Sequence, residues 1–231
     1  QAMRIPETVK PTFNLIAQGG STRALLLIHN GSVSYGDRII MHDIALTAAA
    51  GERIALLGNN GCGKSSLLKA ILSETSITRS GEWNSVALTQ IGYLDQHYNA
   101  LDPSCSVLDC IQRTFPQGTP HADLRTHLNR FLFRSNEEVN ALAATLSGGE
   151  KARLSLALIS AQTPRLLLLD EVTNNLDLET RQHVIDVLKA YPGTLVVVSH
   201  DADFLHAIGI TTWYEIADQT LRLVESPLIS R

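Results

Sequence analysis

The chain has 231 residues, 44% of them hydrophobic and 18% charged, enough apolar material for a sizeable core and too much for wholesale disorder. Nineteen Lys and Arg against 23 Asp and Glu give a formal net charge of −4, so no global positive field drives non-specific nucleic-acid binding. Apolar runs such as 166–169 and 195–198 fall far short of the roughly 18–20 residues of a membrane helix. Cys62, Cys105 and Cys110 make neither a disulfide framework nor a zinc cluster, which reads as a reducing, cytosolic setting.

The N-terminus lacks a basic region followed by an apolar one, so it does not read as a secretory signal. Gln1 and Ala2 ahead of Met3 look like a cloning remnant, and residues 1–22, with two prolines and Gly19-Gly20, read as a linker or an extended lead-in strand. Leu25–Ile28 and Ile39–Leu46 are candidate strands, and a turn at Ala50–Arg53 leads into Ile54–Leu57. Strands joined by short turns suggest an antiparallel β element here. After Leu57 a glycine-rich turn precedes a helix over Lys64–Leu72, with Leu67, Leu68, Ile71 and Leu72 as its apolar positions.

Residues 97–145 are less hydrophobic and carry helical spacing at Leu124, Leu128 and Phe131-Leu132, the pattern of a small helical insert. Gly148–Ala161 reads as a helix stopped by Pro164. Leu166–Leu169 and Leu195–Val198 read as strands buried on both faces. Leu178–Ala190 is a helix closed by Pro192-Gly193, Asp201 caps a helix running to Ile208, and Trp213–Ile216 with Leu221–Val224 forms a terminal hairpin. The alternation predicts an α/β fold: a mostly parallel sheet flanked by helices, with the antiparallel element at its N-terminal side. It divides into 1–22, a core over 23–96, a helical subdomain over 97–145, and 146–231.

Gly58-Asn59-Asn60-Gly61-Cys62-Gly63-Lys64-Ser65 fits the phosphate-loop pattern G-x-x-x-x-G-K-[ST]. Glycines let consecutive N–H groups turn inward at phosphate oxygens, and the following helix adds its positive end. Lys64 places a charge between β- and γ-phosphates, the Ser65 hydroxyl can ligate Mg²⁺, and Ser66 follows in the same cradle. In Leu166–Leu169-Asp170-Glu171, a buried strand delivers two carboxylates to the crevice at its C-terminal end. Asp170 would hold Mg²⁺, partly through water, and Glu171 would act as general base toward the attacking water.

Leu146-Ser147-Gly148-Gly149-Glu150 supplies a second anion cradle at a helix start. With it the sequence resembles the ATP-binding-cassette (ABC) ATPases, whose signature is LSGGQ or LSGGE, over nearly the whole span from Ala24 to Val224. The resemblance implies that Tyr35 stacks on adenine, an interaction of about 1–3 kcal/mol by analogy with base–aromatic contacts. It implies that Gln96 is the Q-loop glutamine touching Mg²⁺ and water, that Asp177 in Asn175-Leu176-Asp177 belongs to the D-loop, and that His200 is the switch histidine. It further implies head-to-tail pairing, in which Ser147, Gly148, Gly149 and Glu150 of one cassette cap the ATP held by another.

Fifty residues separate Gln96 from Ser147, which excludes the long helical hairpins of DNA-repair ABC ATPases and leaves no room for the arm of a first ABC-F cassette. The stretches 128–133, 146–153, 170–177 and 198–205 resemble a C-terminal ABC-F cassette. Val172 stands where that family has proline, and Asn175 where it has histidine. The resemblance implies a soluble, cytoplasmic ATPase working with a second cassette, in the same full-length chain or as a homodimer, and acting on the ribosome without membrane insertion. The alternative is the nucleotide-binding subunit of a membrane transporter.

Overall fold

The computed structural model describes residues 24–173 and 176–227, so the lead-in segment, Asn174 and Asn175 lie outside the described residues. Among the described residues the chain forms nine strands and seven α-helices. The strands are β1 (Leu26–Tyr35), β2 (Arg38–Ala48), β3 (Arg53–Leu57), β4 (Thr78–Ser85), β5 (Ile91–Leu94), β6 (Leu166–Asp170), β7 (Thr194–Val198), β8 (Thr212–Ala217) and β9 (Thr220–Val224). The helices are α1 (Lys64–Ile71), α2 (Val107–Gln112), α3 (His121–Asn129), α4 (Asn136–Asn140), α5 (Gly148–Gln162), α6 (Leu178–Ala190) and α7 (Ala202–Ala207).

A six-stranded sheet runs β5-β6-β7-β3-β8-β9, with every neighbouring pair parallel except the β8–β9 hairpin. A separate antiparallel sheet has the order β2-β1-β4. The expected architecture is present, with one reassignment. Ile54–Leu57, read with the antiparallel strands, forms β3 at the heart of the parallel sheet, because Arg53–Leu56 pairs with Leu195–Val198. Two strands were missed: β4, a polar and mostly exposed edge strand, and β5, only four residues long.

Period-2 alternation divides the parallel sheet's side chains between two cores. Leu167, Leu169, Leu195 and Val197 face the cluster beneath the helices around α5 and α6. Leu166, Leu168, Val196 and Val198 face the cluster shared with α1 and the antiparallel sheet. Coverage on both faces is why these strands are continuous apolar runs with every residue buried. It also leaves their C-terminal ends as the place where polar residues reach the surface.

Among the described residues, no helix is long and apolar enough to cross a membrane.

Candidate functional site

The phosphate loop bridges β3 and α1. Gly63, the N-cap of α1, has φ 111°, and a Cβ there would approach Ile40 Cγ2 at 2.9 Å, so both backbone conformation and space require glycine. Lys64 is only 5% exposed, and its Nζ donates to Gly58 O (2.7 Å) and Asn59 O (3.0 Å), folding the loop around the ammonium. Ser65 starts α1 beside it, and Cys62 lies against Gly58 within the loop.

The last residue of β6 brings Asp170 to this loop. Its carboxyl is pushed above its ordinary value by burial first of all, while the Ser65 hydroxyl and the Lys64 charge pull it back and Glu171 raises it further. Those partners place Lys64, Ser65, Asp170 and Glu171 in one cluster. Asp170 Oδ1 is buried and takes no hydrogen bond among the described residues. A carboxylate oxygen so placed is costly unless something compensates it, and a divalent cation would. Among the described residues no group of three or more His, Cys, Asp or Glu is gathered for a metal. A cation here would therefore draw its other ligands from Ser65, water and phosphate oxygens, which suits Mg²⁺.

Glu171 holds a left-handed backbone, φ 51°, with its amide donating to Val198 O at 2.9 Å. His200, two residues beyond β7, places Nε2 3.4 Å from Glu171 Oε1. The rest of the cavity, about 510 Å³, is lined by Tyr35, Asn60, Gly61, Ser66 and Gln96 among others. The Ser66 hydroxyl reaches the Tyr35 hydroxyl at 3.5 Å. Arg38 and Ile40 also line it, although sequence reasoning missed them. Arg38 sits there because the β1–β2 register places it opposite Tyr35. A basic residue three positions after a candidate aromatic was the available signal.

The signature residues lie elsewhere and do not line this cavity. Ser147 caps α5, its Oγ accepting from the Glu150 amide (3.3 Å) while the Glu150 carboxylate accepts from the Ser147 amide (2.8 Å). Ser147 and Gly148 remain exposed. Gly149 is buried against the cap of α6: a Cβ there would lie 3.1 Å from Thr180 Oγ1 and 3.3 Å from Asp177 Oδ2. Asp177 itself accepts from the Thr180 amide and hydroxyl at 2.9 and 2.8 Å. The candidate D-loop and signature thus form one packed unit.

Residues 41–174 match the family described as ABC transporter. The chain is 42% identical over 196 residues to the probable ATP-binding protein YheS of Escherichia coli K12, covering 84% of this chain and 30% of that protein. It is 38% identical over 198 residues to the putative ATP-binding protein YdiF of Bacillus subtilis 168, covering 85% and 30%. It is 36% identical over 178 residues to the ATP-binding protein Uup of Escherichia coli K12, covering 75% and 28%. The chain therefore spans about 30% of the length of these relatives. The family match extends over more than half of the chain and includes the phosphate loop and the acidic pair, so the chain belongs to the ABC transporter family, as an ATP-binding cassette of the P-loop ATPase type whose relatives are ABC-F-like proteins.

Proposed function

We propose that this chain is one cassette, the C-terminal one, of a longer cytoplasmic ABC-F protein that binds and hydrolyses Mg·ATP between paired cassettes and acts on the ribosome. The observation that carries the nucleotide part is the convergence of Lys64, Ser65, Gln96 and Glu171 on one cavity, with the orphaned Asp170 Oδ1 beside them. Tyr35 stacks on the base, residues 58–66 wrap the phosphates, and Lys64 neutralises their charge. Asp170 and Ser65, with Gln96, would hold magnesium, which when bound would supply positive charge beside the phosphates. Glu171 accepts the proton of the attacking water and His200 steadies it through their 3.4 Å contact. Ser147 and Gly149 of the opposing cassette cover the γ-phosphate, and Asp177 reports between the two sites.

The ribosome assignment is tested on the full-length protein. With Glu171→Gln and ATP it co-sediments with ribosomes at near-stoichiometric levels, and with ADP it does not. Equal recovery with either nucleotide, or none with both, would exclude nucleotide-gated ribosome binding.

A further inference from the structure

Two cations line the cavity above, Lys64 and Arg38, and they are placed very differently. Lys64 is nearly buried, and its ammonium already serves Gly58 O and Asn59 O. Arg38 is exposed, and among the described residues its guanidinium makes no hydrogen bond and no ion pair, not even with Asp37 beside it. Its direction follows from the strand. Arg38 is the first residue of β2 and pairs in register with Tyr35, the last of β1. Side chains alternate along a strand, so Arg38 and Ile40 share a face. Both line the cavity, whereas Ile39 between them does not. Ile40 Cγ2 lies 2.9 Å from where a Cβ on Gly63 would sit, so this face of β2 rests on the N-terminus of α1. Tyr35 in turn reaches Ser66 in the first turn of α1, hydroxyl to hydroxyl at 3.5 Å. Arg38 therefore stands about 7 Å along β2 from Ile40, between the Tyr35 ring and the phosphate loop. Glu171 and His200, the groups proposed to serve the terminal phosphate, follow β6 and β7 in the other sheet.

We propose that Arg38 is a second cation for the nucleotide and binds the base-side end of the phosphate chain, the part that ATP and ADP share. The inference rests on the nucleotide reading above. With the base on Tyr35 and the terminal phosphate beside Lys64 and Glu171, the anionic segment left for a group in Arg38's position is the one next to the ribose. A guanidinium suits it, because phosphate oxygens accept parallel N–H bonds from its planar fork. A neutral sugar would leave the charge unused. A contact to the shared segment does not distinguish ATP from ADP. Arg38 therefore supplies affinity that hydrolysis leaves in place, and it slows the departure of ADP.

Calorimetric titration of the full chain with ADP and with a non-hydrolysable ATP analogue tests this. Arg38→Ala lowers both affinities by the same factor, about tenfold, the size expected of a charge-assisted contact. Arg38→Lys, which keeps the charge, stays within about threefold of the native affinity. Arg38→Gln, which keeps length and loses charge, behaves like Arg38→Ala. The factor between the native and alanine chains shrinks as salt rises from about 0.05 to 0.5 M, because it comes from opposite charges at an exposed position. Melting temperatures of all three variants stay at the native value, since the side chain ties nothing in the free chain. A loss confined to the ATP analogue would put Arg38 on the terminal phosphate, and a factor indifferent to salt would put it on the base or the sugar. Native affinity in Arg38→Gln would reduce it to packing, and unchanged affinities in Arg38→Ala would remove it from the site. Each of these results overturns the proposal. A native chain that binds neither nucleotide would overturn the nucleotide reading itself, and this proposal with it.

Discussion

Glu171 sits in a backbone conformation that costs a non-glycine residue roughly 1–2 kcal/mol. The cost is met locally: its amide is tied to Val198 O, and Val172 after it is buried in the core beneath the helices. A valine in place of the family's proline is therefore held by packing where a ring would have held it by covalent restriction. The carboxylate is left beside His200, 3.4 Å from Nε2. Glu171→Gln keeps the shape and removes the base, so phosphate release falls at least about a hundredfold while ATP binding persists. A variant that releases phosphate at the native rate would remove Glu171 from the chemistry. Lys64→Ala acts on the other half of the site. With the buried ammonium gone, the loop loses its bonds to Gly58 O and Asn59 O, and ATP affinity measured by equilibrium fluorescence drops by tenfold or more. These residues were legible because their spacing is local. Arg38 and Ile40 were not, because strand register brings them to the cavity.

At the scale of elements, helix ends carry much of the polar structure, and two side chains test this. Arg53 on β3 donates to Leu188 O (3.0 Å) and Tyr191 O (2.6 Å) at the end of α6 and to Ile208 O (2.7 Å) at the end of α7. One guanidinium thus satisfies carbonyls of two helices and meets their negative ends. Arg53→Ala should cost about 3 kcal/mol and lower Tm by roughly 6–12 °C. Arg53→Lys should recover less than half, since an ammonium cannot fork to several carbonyls. A Tm change under 2 °C for Arg53→Ala would refute the shared-cap account. Asp201 caps α7 through the Phe204 amide (2.8 Å) and pairs with Arg181 (2.8 Å). Burial alone would raise its carboxyl, but Arg181 and the amide hold it below the ordinary value. Its stabilising contribution is therefore full above the usual carboxylate range, near pH 4. It is lost as pH falls through the lower folded value. Asp201→Asn should reduce Tm by about 2–4 °C at pH 7. The gap to the native chain should close below pH 3, and a gap that persists there would contradict the linkage. The Asp201 cap made α7 legible, as Pro192-Gly193 did the end of α6. By contrast, β4 carries no apolar alternation: it pairs with β1 across bulges and ties to α1 through Arg79, which donates to Ala70 O at 2.9 Å, and nothing in TRSGEWNS announces it.

For the whole molecule, the parallel sheet was legible as a class because leucine and valine runs demand cover on both faces, but strand order was not. That Ile54–Leu57 lies between β7 and β8 depends on contacts some 140 and 160 residues away in sequence, which no local pattern encodes. The same topology separates the two halves of the proposed site. The cavity opens at the ends of β3 and β6, whereas exposed Ser147 and Gly148 start α5 and line no part of it. If, as proposed, the chain closes on ATP against a second cassette, turnover per chain of this polypeptide should rise with concentration. Two crippled chains then provide the decisive measurement. Lys64→Ala has a native signature but a defective phosphate loop, and Ser147→Arg has the reverse, so each alone should be inactive. Mixed one to one, half of randomly formed pairs are heteropairs. Each heteropair assembles one intact site from the loop of one chain and the signature of the other. Activity should return to about a quarter of the native level at saturating concentration if each site turns over independently, and to nothing if both sites must fire together. In the second case Glu171→Gln with ATP should still double the sedimenting mass. Concentration-independent turnover by a chain that stays monomeric with ATP would show that one cassette completes its own site, and the paired mechanism would fall.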